Sequence, residues 1–331
     1  MYELITNRNL PTYAIEFLES LIKKGRKAST ISRYAYDLED FFSWLSKEKQ
    51  NHLFQTFQSV TTEDLKKYMT FLTDKKHYSS QTMQRILIVL NQLYKYFIKK
   101  KVLHVNPVSN LPYKTGQLKE IVKDDFLRDD EAKKIYDTVR SLDGLTDNQK
   151  KARSKLIARN ESIFILLIEY GLTLQELTNI TMNNIHFEWN TINVGIEEQT
   201  RRTISIHPSH KKVLYDYYQT IPKPVRPRYR SSDPFFVAFD FQRNTYRWVY
   251  ATDSPKKLTK IAIQKMIREE CKRAGLLGKS QQHFRHTAVL KALQQQKSIE
   301  TIKTQFGFQT EIALKRIVHF FEQEQEKKQK K

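Results

Sequence analysis

The stretch Ser29-Thr-Ile-Ser-Arg-Tyr-Ala-Tyr-Asp-Leu-Glu-Asp-Phe-Phe-Ser-Trp-Leu45 has the apolar spacing of a helix that buries one face. Its apolar residues recur every three or four positions, which is the period of one side of an α-helix. Ser29 or Thr30 is placed to cap the start of this helix with its hydroxyl group. The stretch therefore predicts an amphipathic helix with a buried face made of Ile31, Tyr34, Ala35, Leu38, Phe41, Phe42 and Leu45.

The same spacing extends into the flanking sequence. A second apolar stripe covers residues 83–97 and follows a capping serine, Ser79 or Ser80. Two further helices are predicted over residues 13–23 and 62–73. Because all four helices are amphipathic and closely spaced, we expect them to pack as an all-α bundle.

A polar, basic segment without periodicity divides the chain. Asn106-Pro107 and Pro112 end the helical pattern, and the residues that follow have the composition of a linker. The acidic residues after Arg128 suit the start of a new helix. We therefore expect a helical domain at residues 1–112, a linker at 113–125, a second domain at 126–321 and a charged, frayed tail at 322–331.

The second domain is predicted to be mainly α with a small antiparallel sheet. Two β-prone runs, residues 191–194 and 203–206, form a hairpin pattern, and a third run covers residues 234–239. The strongly basic residues 149–159 precede a helix, and a later helix is expected from Ser254-Pro255 through to Arg273. The whole chain is thus predicted to be a mainly helical two-domain protein.

The charge of the chain indicates the kind of partner that it binds. Lys and Arg outnumber Asp and Glu by 57 to 36, which gives a formal net charge of +21. A field of this sign attracts polyanions, so double-stranded DNA is the leading partner, although basic helix faces can also simply be solvated. No segment reaches the ~20 consecutive apolar residues that span a bilayer, and the N-terminus lacks a signal-peptide pattern, so a cytoplasmic protein is expected.

Cysteine and histidine usage gives no sign of a metal or a cofactor. Cys271 is the single cysteine of the chain and therefore has no partner for an intramolecular disulfide. The nine histidines show neither an H-x-x-x-H spacing nor a pairing with a C-x-x-C motif. We expect no metal site and no cofactor.

Several motifs together resemble the tyrosine recombinase and phage integrase family. In the first domain the resemblance rests on the stretch from Ser29 to Leu45 and on Gln81-Thr-Met-Gln-Arg-Ile86. In the second domain it rests on Tyr170-Gly-Leu-Thr-Leu-Gln-Glu-Leu177, His283-Phe-Arg-His-Thr-Ala288 and Gln305-Phe-Gly-Phe308. The resemblance implies a two-domain clamp on DNA, with a helical core-binding domain and an α-rich catalytic-type domain. Each motif alone is weak, and the specificity comes from their order and spacing.

The resemblance also implies a chemistry in which a tyrosine attacks a DNA phosphodiester. Two arginines, a lysine and histidines neutralise the transition state in that family. Here Arg285 and His286 match the family pattern. The remaining positions depart from it: no tyrosine follows Tyr250 in the sequence, and the expected catalytic positions fall on Thr173, Glu197, Gln282, Phe308 and Ile317. From these departures we expect that the chain is not an enzyme.

Basic and polar residues in both domains are predicted to contact DNA. Each has an alternative, which is a solvated helix face, or a structural ion pair for Arg285 and a structural hydrogen bond for His286. The predicted set comprises Lys27, Thr30, Arg33, Arg85, Lys150, Lys151, Arg153, Lys155, Arg159, Arg201, Arg202, Lys256, Lys257, Lys260, Arg285 and His286.

Three functions are compatible with these features. The leading hypothesis is a sequence-specific transcriptional regulator, a phage or prophage repressor that maintains lysogeny, because the pattern resembles the recombinase-fold repressors of SPβ-type Bacillus prophages. The second is a divergent but active site-specific recombinase or integrase. The third is a non-cleaving accessory factor for such an enzyme.

Overall fold

The structure is a computed structural model that describes Ile5 and residues 7–111, 120–309 and 311–329. Most of the predicted linker, residues 113–119, lies outside the described residues, as does Pro112. The chain divides into two compact units, Met1–Lys119 and Glu120–Lys331. Both are mainly helical, and the second contains small antiparallel sheets, so the predicted fold class is confirmed.

The first unit is a bundle of helices that we number α1 to α5. The cap at Ser79 is confirmed, since its hydroxyl accepts a hydrogen bond from Thr82 N. The predicted cap at Ser29 or Thr30 is wrong, because α2 already begins at Ala28 and has Lys27 at its N-cap position. The helices are α1 Thr12–Lys23, α2 Ala28–Lys49, α3 Phe54–Gln58, α4 Thr62–Asp74 and α5 Ser80–Lys99, and α3 was not predicted.

Aromatic side chains fill the centre of the bundle. The ring of Phe57 on α3 stacks on Tyr94 of α5 with 4.5 Å between centroids, and Tyr13 of α1 also stacks on Phe57 at 5.4 Å. Such ring pairs stabilise a core by about 0.5–1.5 kcal/mol beyond the burial of apolar area. The short helix α3 is therefore held by its one buried ring, a contact that periodicity in five residues could not indicate.

The second unit contains eight further helices among the described residues. Helix α7 is the longest of them, and it includes the basic residues 149–159 that were predicted to precede it. The Thr146 hydroxyl caps this helix by accepting a hydrogen bond from Gln149 N. The whole basic run is therefore helical. The helices are α6 Asp129–Arg140, α7 Asp147–Ile168, α8 Leu174–Asn179, α9 Pro208–Thr220, α10 Lys260–Arg273, α11 Gln281–Gln294, α12 Ile299–Phe306 and α13 Ile312–Gln329.

Short antiparallel strands lie between α8 and α10. The predicted hairpin is present, with Ile192 opposite Ile204 in register. Two predictions in this segment are wrong: residues 254–255 form a strand and not a helix start, because Thr259 caps α10, and residues 234–239 contribute only isolated bridges and one strand residue. The strands are β1 Ile185–His186, β2 Thr191–Val194, β3 Arg202–Ser205, β4 Phe239–Asp240, β5 Thr245–Tyr246, β6 Trp248–Val249 and β7 Ser254–Pro255.

The C-terminal helix and the segment before α6 share one apolar cluster. Ile121, which was predicted to lie in the linker, packs with Leu314 and Ile317 of α13. Residues 322–329 continue α13, in contrast to the frayed tail that we expected. An ion pair of 3.0 Å between Lys123 and Glu324 joins this part of the helix to the 3-10 turn before α6.

Candidate nucleic-acid interface

Thr173 and Glu176 form the start of α8, at the motif that the sequence singled out. The Thr173 hydroxyl caps Glu176 N at 3.2 Å, and the Glu176 carboxylate accepts from Thr173 N at 2.8 Å. This reciprocal capping box satisfies two helix-terminal donors. Thr173, the position where the family pattern has an arginine, is therefore a helix cap in this chain.

Arg202 on β3 turns inward and pairs with Glu176. Its Nη1 lies 2.5 Å from Glu176 Oε1, and its Nε donates to Gln305 O at 2.7 Å. Burial alone would raise the pKa of Glu176, but the Arg202 guanidinium and the Thr173 donors lower it below its usual value. The side chain of Arg202 is 6% exposed, so it does not extend from the hairpin tip, and its contact with DNA stays a prediction. The reason is strand alternation, since its neighbour Arg201 is exposed.

Gly307 gives Arg202 the space that it occupies. Its φ of +63° lies in the left-handed region, and a Cβ atom at this position would come within 2.7 Å of Arg202 Nη1. Arg202 Nη2 is buried and has no hydrogen-bond partner among the described residues. The pairing of Gly307 with the buried guanidinium accounts for the glycine of the Gln305–Phe308 motif.

Arg285 of α11 lies beside this pair. Its Nη1 donates to Gly171 O at 2.5 Å and its Nη2 to Phe306 O at 2.6 Å, while the guanidinium sits 4.5 Å from the ring centroid of Phe308. Burial lowers the pKa of Arg285 to about 10, and Glu176 opposes that shift. The expected ion pair with Glu176 is made instead by Arg202. A DNA contact of Arg285 stays a prediction, since each Nη atom has a second hydrogen.

The turn before β3 carries acids where the family has a lysine. The carboxylate of Glu197 accepts a hydrogen bond from Gln309 Nε2, which follows Phe308 in the chain. The Thr200 hydroxyl closes the turn by donating to Glu197 O at 2.9 Å. The turn thus contacts the segment after α12 through an acidic side chain, and Arg201 is its exposed cation.

Two histidines on α11 face the segment before α6. His286 Nδ1 lies 3.3 Å from Asp125 O, and its ring packs 6.0 Å from Phe126. His283 Nδ1 accepts from Ser280 N at 3.1 Å and thereby caps α11. Gln282, at the expected position of the leading histidine, is exposed, with its Nε2 3.5 Å from His286 Nε2. These contacts favour the structural reading of His286.

Burial lowers the pKa of both His283 and His286 below the usual value. The unfolded chain therefore binds more protons than the folded chain below about pH 6.5, and stability should fall as the pH decreases from 7 to 5. We expect His286→Gln to reduce that pH-dependent loss, measured as the free energy of unfolding in urea at both pH values. His319→Gln, at an exposed position on α13, is the matched control, and equal losses in His286→Gln and the unchanged chain would contradict the prediction.

The expected position of the nucleophile lies on α13. Ile317 there is 1% exposed and packs in the apolar cluster that contains Phe306. His319, two residues later, is exposed, and its Nε2 lies 2.9 Å from Gln323 Nε2. Phe308 packs against the same cluster as Ile317. Ile317 and Phe308, which both depart from the family pattern, therefore pack in or against one apolar cluster.

The basic run on α7 divides between surface and interior. Lys150 and Lys151 are exposed, and Lys155 donates to Asn244 O at 2.7 Å. Arg153 and Arg159 are only 4% and 5% exposed, so they are not surface cations in this structure, and their contact with DNA stays a prediction. The cause is that the run is helical, and Arg153 and Arg159 fall on positions of α7 that are buried against the rest of the second unit.

Three lysines cluster around the start of α10. Lys256 is exposed, Lys257 Nζ donates to Asn179 Oδ1 at 2.6 Å, and Lys260 Nζ donates to Gln175 Oε1. Because Gln175 and Asn179 belong to α8, which begins after Thr173, Lys257 and Lys260 lie next to the helix that carries the first motif of the second domain. Partial burial, and then the neighbouring Lys260, lower the pKa of Lys257. We call these three residues the α10 lysine cluster.

The predicted DNA contacts of the first unit lie on α2 and α5. Arg85 of α5 makes a bidentate pair with Asp37 of α2, with distances of 2.8 and 2.9 Å. Arg33 is exposed and lies 3.7 Å from the same carboxylate. Lys27 is exposed and Thr30 half-buried at the start of α2. One buried acid thus holds two of the predicted cations in place.

Sequence reasoning missed the acids that order these cations. Asp37 stands four residues after Arg33, an i,i+4 spacing that could have indicated the pair. Glu270, the partner of Arg153, lies 117 residues away from it, and no local signal marks that contact.

Burial raises the pKa of the Cys271 thiol to about 12. Within the described parts of the chain, no cluster of three metal-ligating side chains occurs, and no helix is long and apolar enough to cross a membrane.

Comparison with known protein families identifies the class of protein. Residues 14–101 match the N-terminal SAM-like domain of phage integrases, and residues 125–322 match the phage integrase family. The second match covers more than half of the chain. The chain therefore belongs to the phage integrase family.

Individual relatives and solved structures agree with this class. The chain is 24% identical over 296 residues to tyrosine recombinase XerC of Anoxybacillus flavithermus, with 88% of this chain and 87% of the relative covered. It is 25% identical over 282 residues to XerC of Caldanaerobacter subterraneus subsp. tengcongensis, with coverage of 80% and 70%. Among structures, a XerH recombinase bound to a palindromic difH substrate has a TM-score of 0.63 at 16% identity, with coverage of 98% and 89%. A lambda integrase dimer bound to a COC′ core site has a TM-score of 0.61 at 12% identity, with coverage of 91% and 96%. The two structures show that the fold is shared.

These findings correct one expectation. From the sequence we expected that the chain is not an enzyme, because the residues of the family pattern change at several positions. The matched family has a catalytic domain, and the relatives are named tyrosine recombinases. The expectation is therefore wrong as a statement about the class of this protein.

Proposed function

We propose that this chain is a sequence-specific double-stranded DNA-binding protein that regulates transcription by occupying its sites. The observation that carries the proposal is the α10 lysine cluster, in which Lys257 and Lys260 contact α8 and Lys256 is exposed, in a chain of net charge +21. Structures of the same fold were solved in complex with DNA substrates. Lysine contacts to phosphate oxygens supply affinity without regard to sequence, and residues that reach base edges supply specificity.

The side-chain contacts support a surface that is ordered before DNA binds. Lys257 and Lys260 are held by Asn179 and Gln175, and Arg85 is held by Asp37 in the first unit. A side chain that is already ordered loses less conformational entropy when it contacts a phosphate. The exposed Arg201, Lys150 and Lys151 extend the basic surface of the second unit.

Within this function, we propose the role of a phage or prophage repressor that maintains lysogeny. The support is the resemblance of the sequence to recombinase-fold repressors of SPβ-type prophages. Such a protein controls a promoter by occupying an operator at equilibrium. The positions of its binding sites in the genome therefore distinguish a repressor from other DNA-binding proteins. Sequencing the DNA that is crosslinked to the chain in cells should give many sites that share a short motif and lie at promoters. Enrichment at a single attachment site would contradict this role and indicate an accessory factor for recombination.

A second candidate is DNA strand cleavage, which the names of the relatives favour. Cleavage by this family's chemistry leaves the protein joined covalently to a DNA phosphate. Incubation with a nicked duplex that contains the motif shared by the crosslinked sites would reveal this activity as a covalent protein–DNA adduct. Since no tyrosine follows Tyr250, peptide mapping of an adduct would also identify the attacking side chain, for which the exposed His319 is one candidate.

A further inference from the structure

A cavity of about 850 Å³ opens in the second unit between α7, α10 and the β4–β5 hairpin. Its volume lies within the range of sites that take small organic molecules, roughly 300–1,000 Å³. Part of the wall is apolar, and the residues that form this part are Leu156, Ile163, Phe239, Phe241, Ala262 and Met266. All of these residues belong to one compact unit.

Arg159 of α7 brings a buried positive charge to this wall. Its side chain donates through Nε and Nη2 to Asn160 Oδ1, at 3.2 and 3.0 Å. It forms no ion pair with a carboxylate among the residues that the structure describes, although it is 5% exposed. Burial lowers its pKa from the usual value. A neutral amide oxygen is a weak substitute for a carboxylate, so the guanidinium retains an unmet preference for an anion.

The nearby acid cannot meet that preference, because its oxygens are already engaged. Glu270 Oε1 accepts from Arg153 Nη1 at 2.6 Å and from Asn160 Nδ2 at 3.3 Å. Glu270 Oε2 accepts from Arg153 Nη2 at 3.1 Å and also pairs with Arg273. Arg159 therefore remains the buried cation of the cavity wall without a carboxylate of its own.

The rest of the lining increases the positive potential. Lys256 and Lys257 also line the cavity, as do Lys265, which pairs with Glu269, and Arg247, which pairs with Asp240. In a partly enclosed space of low dielectric, such an excess of positive charge concentrates anions. The cavity thus combines an apolar wall, a buried guanidinium and a positive rim.

We propose that this cavity binds a small amphipathic organic anion, with its acidic group on Arg159 and its apolar body against Leu156, Phe239 and Met266. The acidic group replaces the missing carboxylate partner, and the guanidinium offers it paired donors. The apolar wall removes the body of the ligand from water. Lys256 and Lys257 of the α10 lysine cluster also line this cavity. The proposal itself rests on Arg159 and the apolar wall and not on the proposed DNA-binding function.

Fluorescence titration with 8-anilinonaphthalene-1-sulfonate tests the proposal on the full chain. This probe has an aromatic body and one sulfonate, and N-phenyl-1-naphthylamine is its uncharged counterpart. We expect saturable binding of one sulfonate probe per chain. Arg159→Met should weaken binding of the sulfonate probe at least tenfold and leave binding of the uncharged probe within about twofold. Absence of saturable binding, or equal sulfonate affinity in Arg159→Met, overturns the proposal.

A second variant covers the case in which Arg159→Met fails to fold. Ala262→Trp fills the cavity from α10 and leaves Arg159 and its partners unchanged. We expect this variant to lose binding of both probes at an unchanged melting temperature. Retention of one-site sulfonate binding in folded Ala262→Trp would show that the probe binds elsewhere and would overturn the proposal.

Discussion

Glu270→Gln is expected to lower the free energy of unfolding of the second unit by about 3–5 kcal/mol, the usual cost of breaking a buried ion pair from one side. The carboxylate of Glu270 lies between Arg153 and Arg273 and is 4% exposed. Gln is nearly isosteric with Glu, so the change removes charge and leaves the packing. Arg153 would then remain buried between α7 and α10 without a compensating anion.

Urea unfolding followed by hydrogen exchange on peptides from α7 and α10 measures this effect within the full chain. Glu269→Gln is the matched control, because Glu269 is 44% exposed and pairs with Lys265 at 3.8 Å. Its replacement should cost less than about 1 kcal/mol. Equal stability losses in the two variants would contradict the role that we assign to Glu270.

The triple variant of the α10 lysine cluster, Lys256→Gln, Lys257→Gln and Lys260→Gln, is expected to weaken DNA binding at least about tenfold. A single charged hydrogen bond contributes about 1.5–3 kcal/mol, and 1.4 kcal/mol corresponds to a factor of ten. The salt dependence should change as well. The slope of log K against log salt concentration should become shallower by about 0.9 for each phosphate contact that is lost on B-DNA.

A control variant separates local contacts from net charge. Lys133→Gln, Lys134→Gln and Lys212→Gln remove the same number of charges from exposed positions on α6 and α9. The control should bind DNA within about threefold of the unchanged chain at 0.15 M salt, where the Debye length is about 8 Å. If both triple variants weaken binding equally, the α10 lysine cluster is not the interface.

Local signals in the sequence were sufficient for much of the fold. The apolar stripe of α5 and its cap at Ser79 predict that helix, and β-branched residues predict the β2–β3 hairpin. The start of α10 was misplaced because Ser254-Pro255 looks like a helix start and the strand that it forms has only two residues. A two-residue strand exists only through its pairing with β6, which periodicity does not reveal.

The candidate site shows the limit of local reasoning more clearly. Arg201 and Arg202 are adjacent and chemically identical, yet Arg202 pairs with Glu176 and Arg201 faces solvent. Arg153 and Arg159 are buried for a related reason. A basic run looks like a surface when its helical phase is unknown, and their surroundings are set by Glu270 and Asn160.

The most direct test of sequence-specific binding uses two duplexes, one with the motif shared by the crosslinked sites and one scrambled duplex of the same composition. The affinity of the full chain for each duplex is measured over a range of salt concentrations. We predict that the duplex with the motif binds roughly 10³-fold more tightly or better, and that log K for both duplexes falls linearly with log salt concentration. Equal affinity for the two duplexes, or binding that does not respond to salt, would contradict sequence-specific binding through a basic surface.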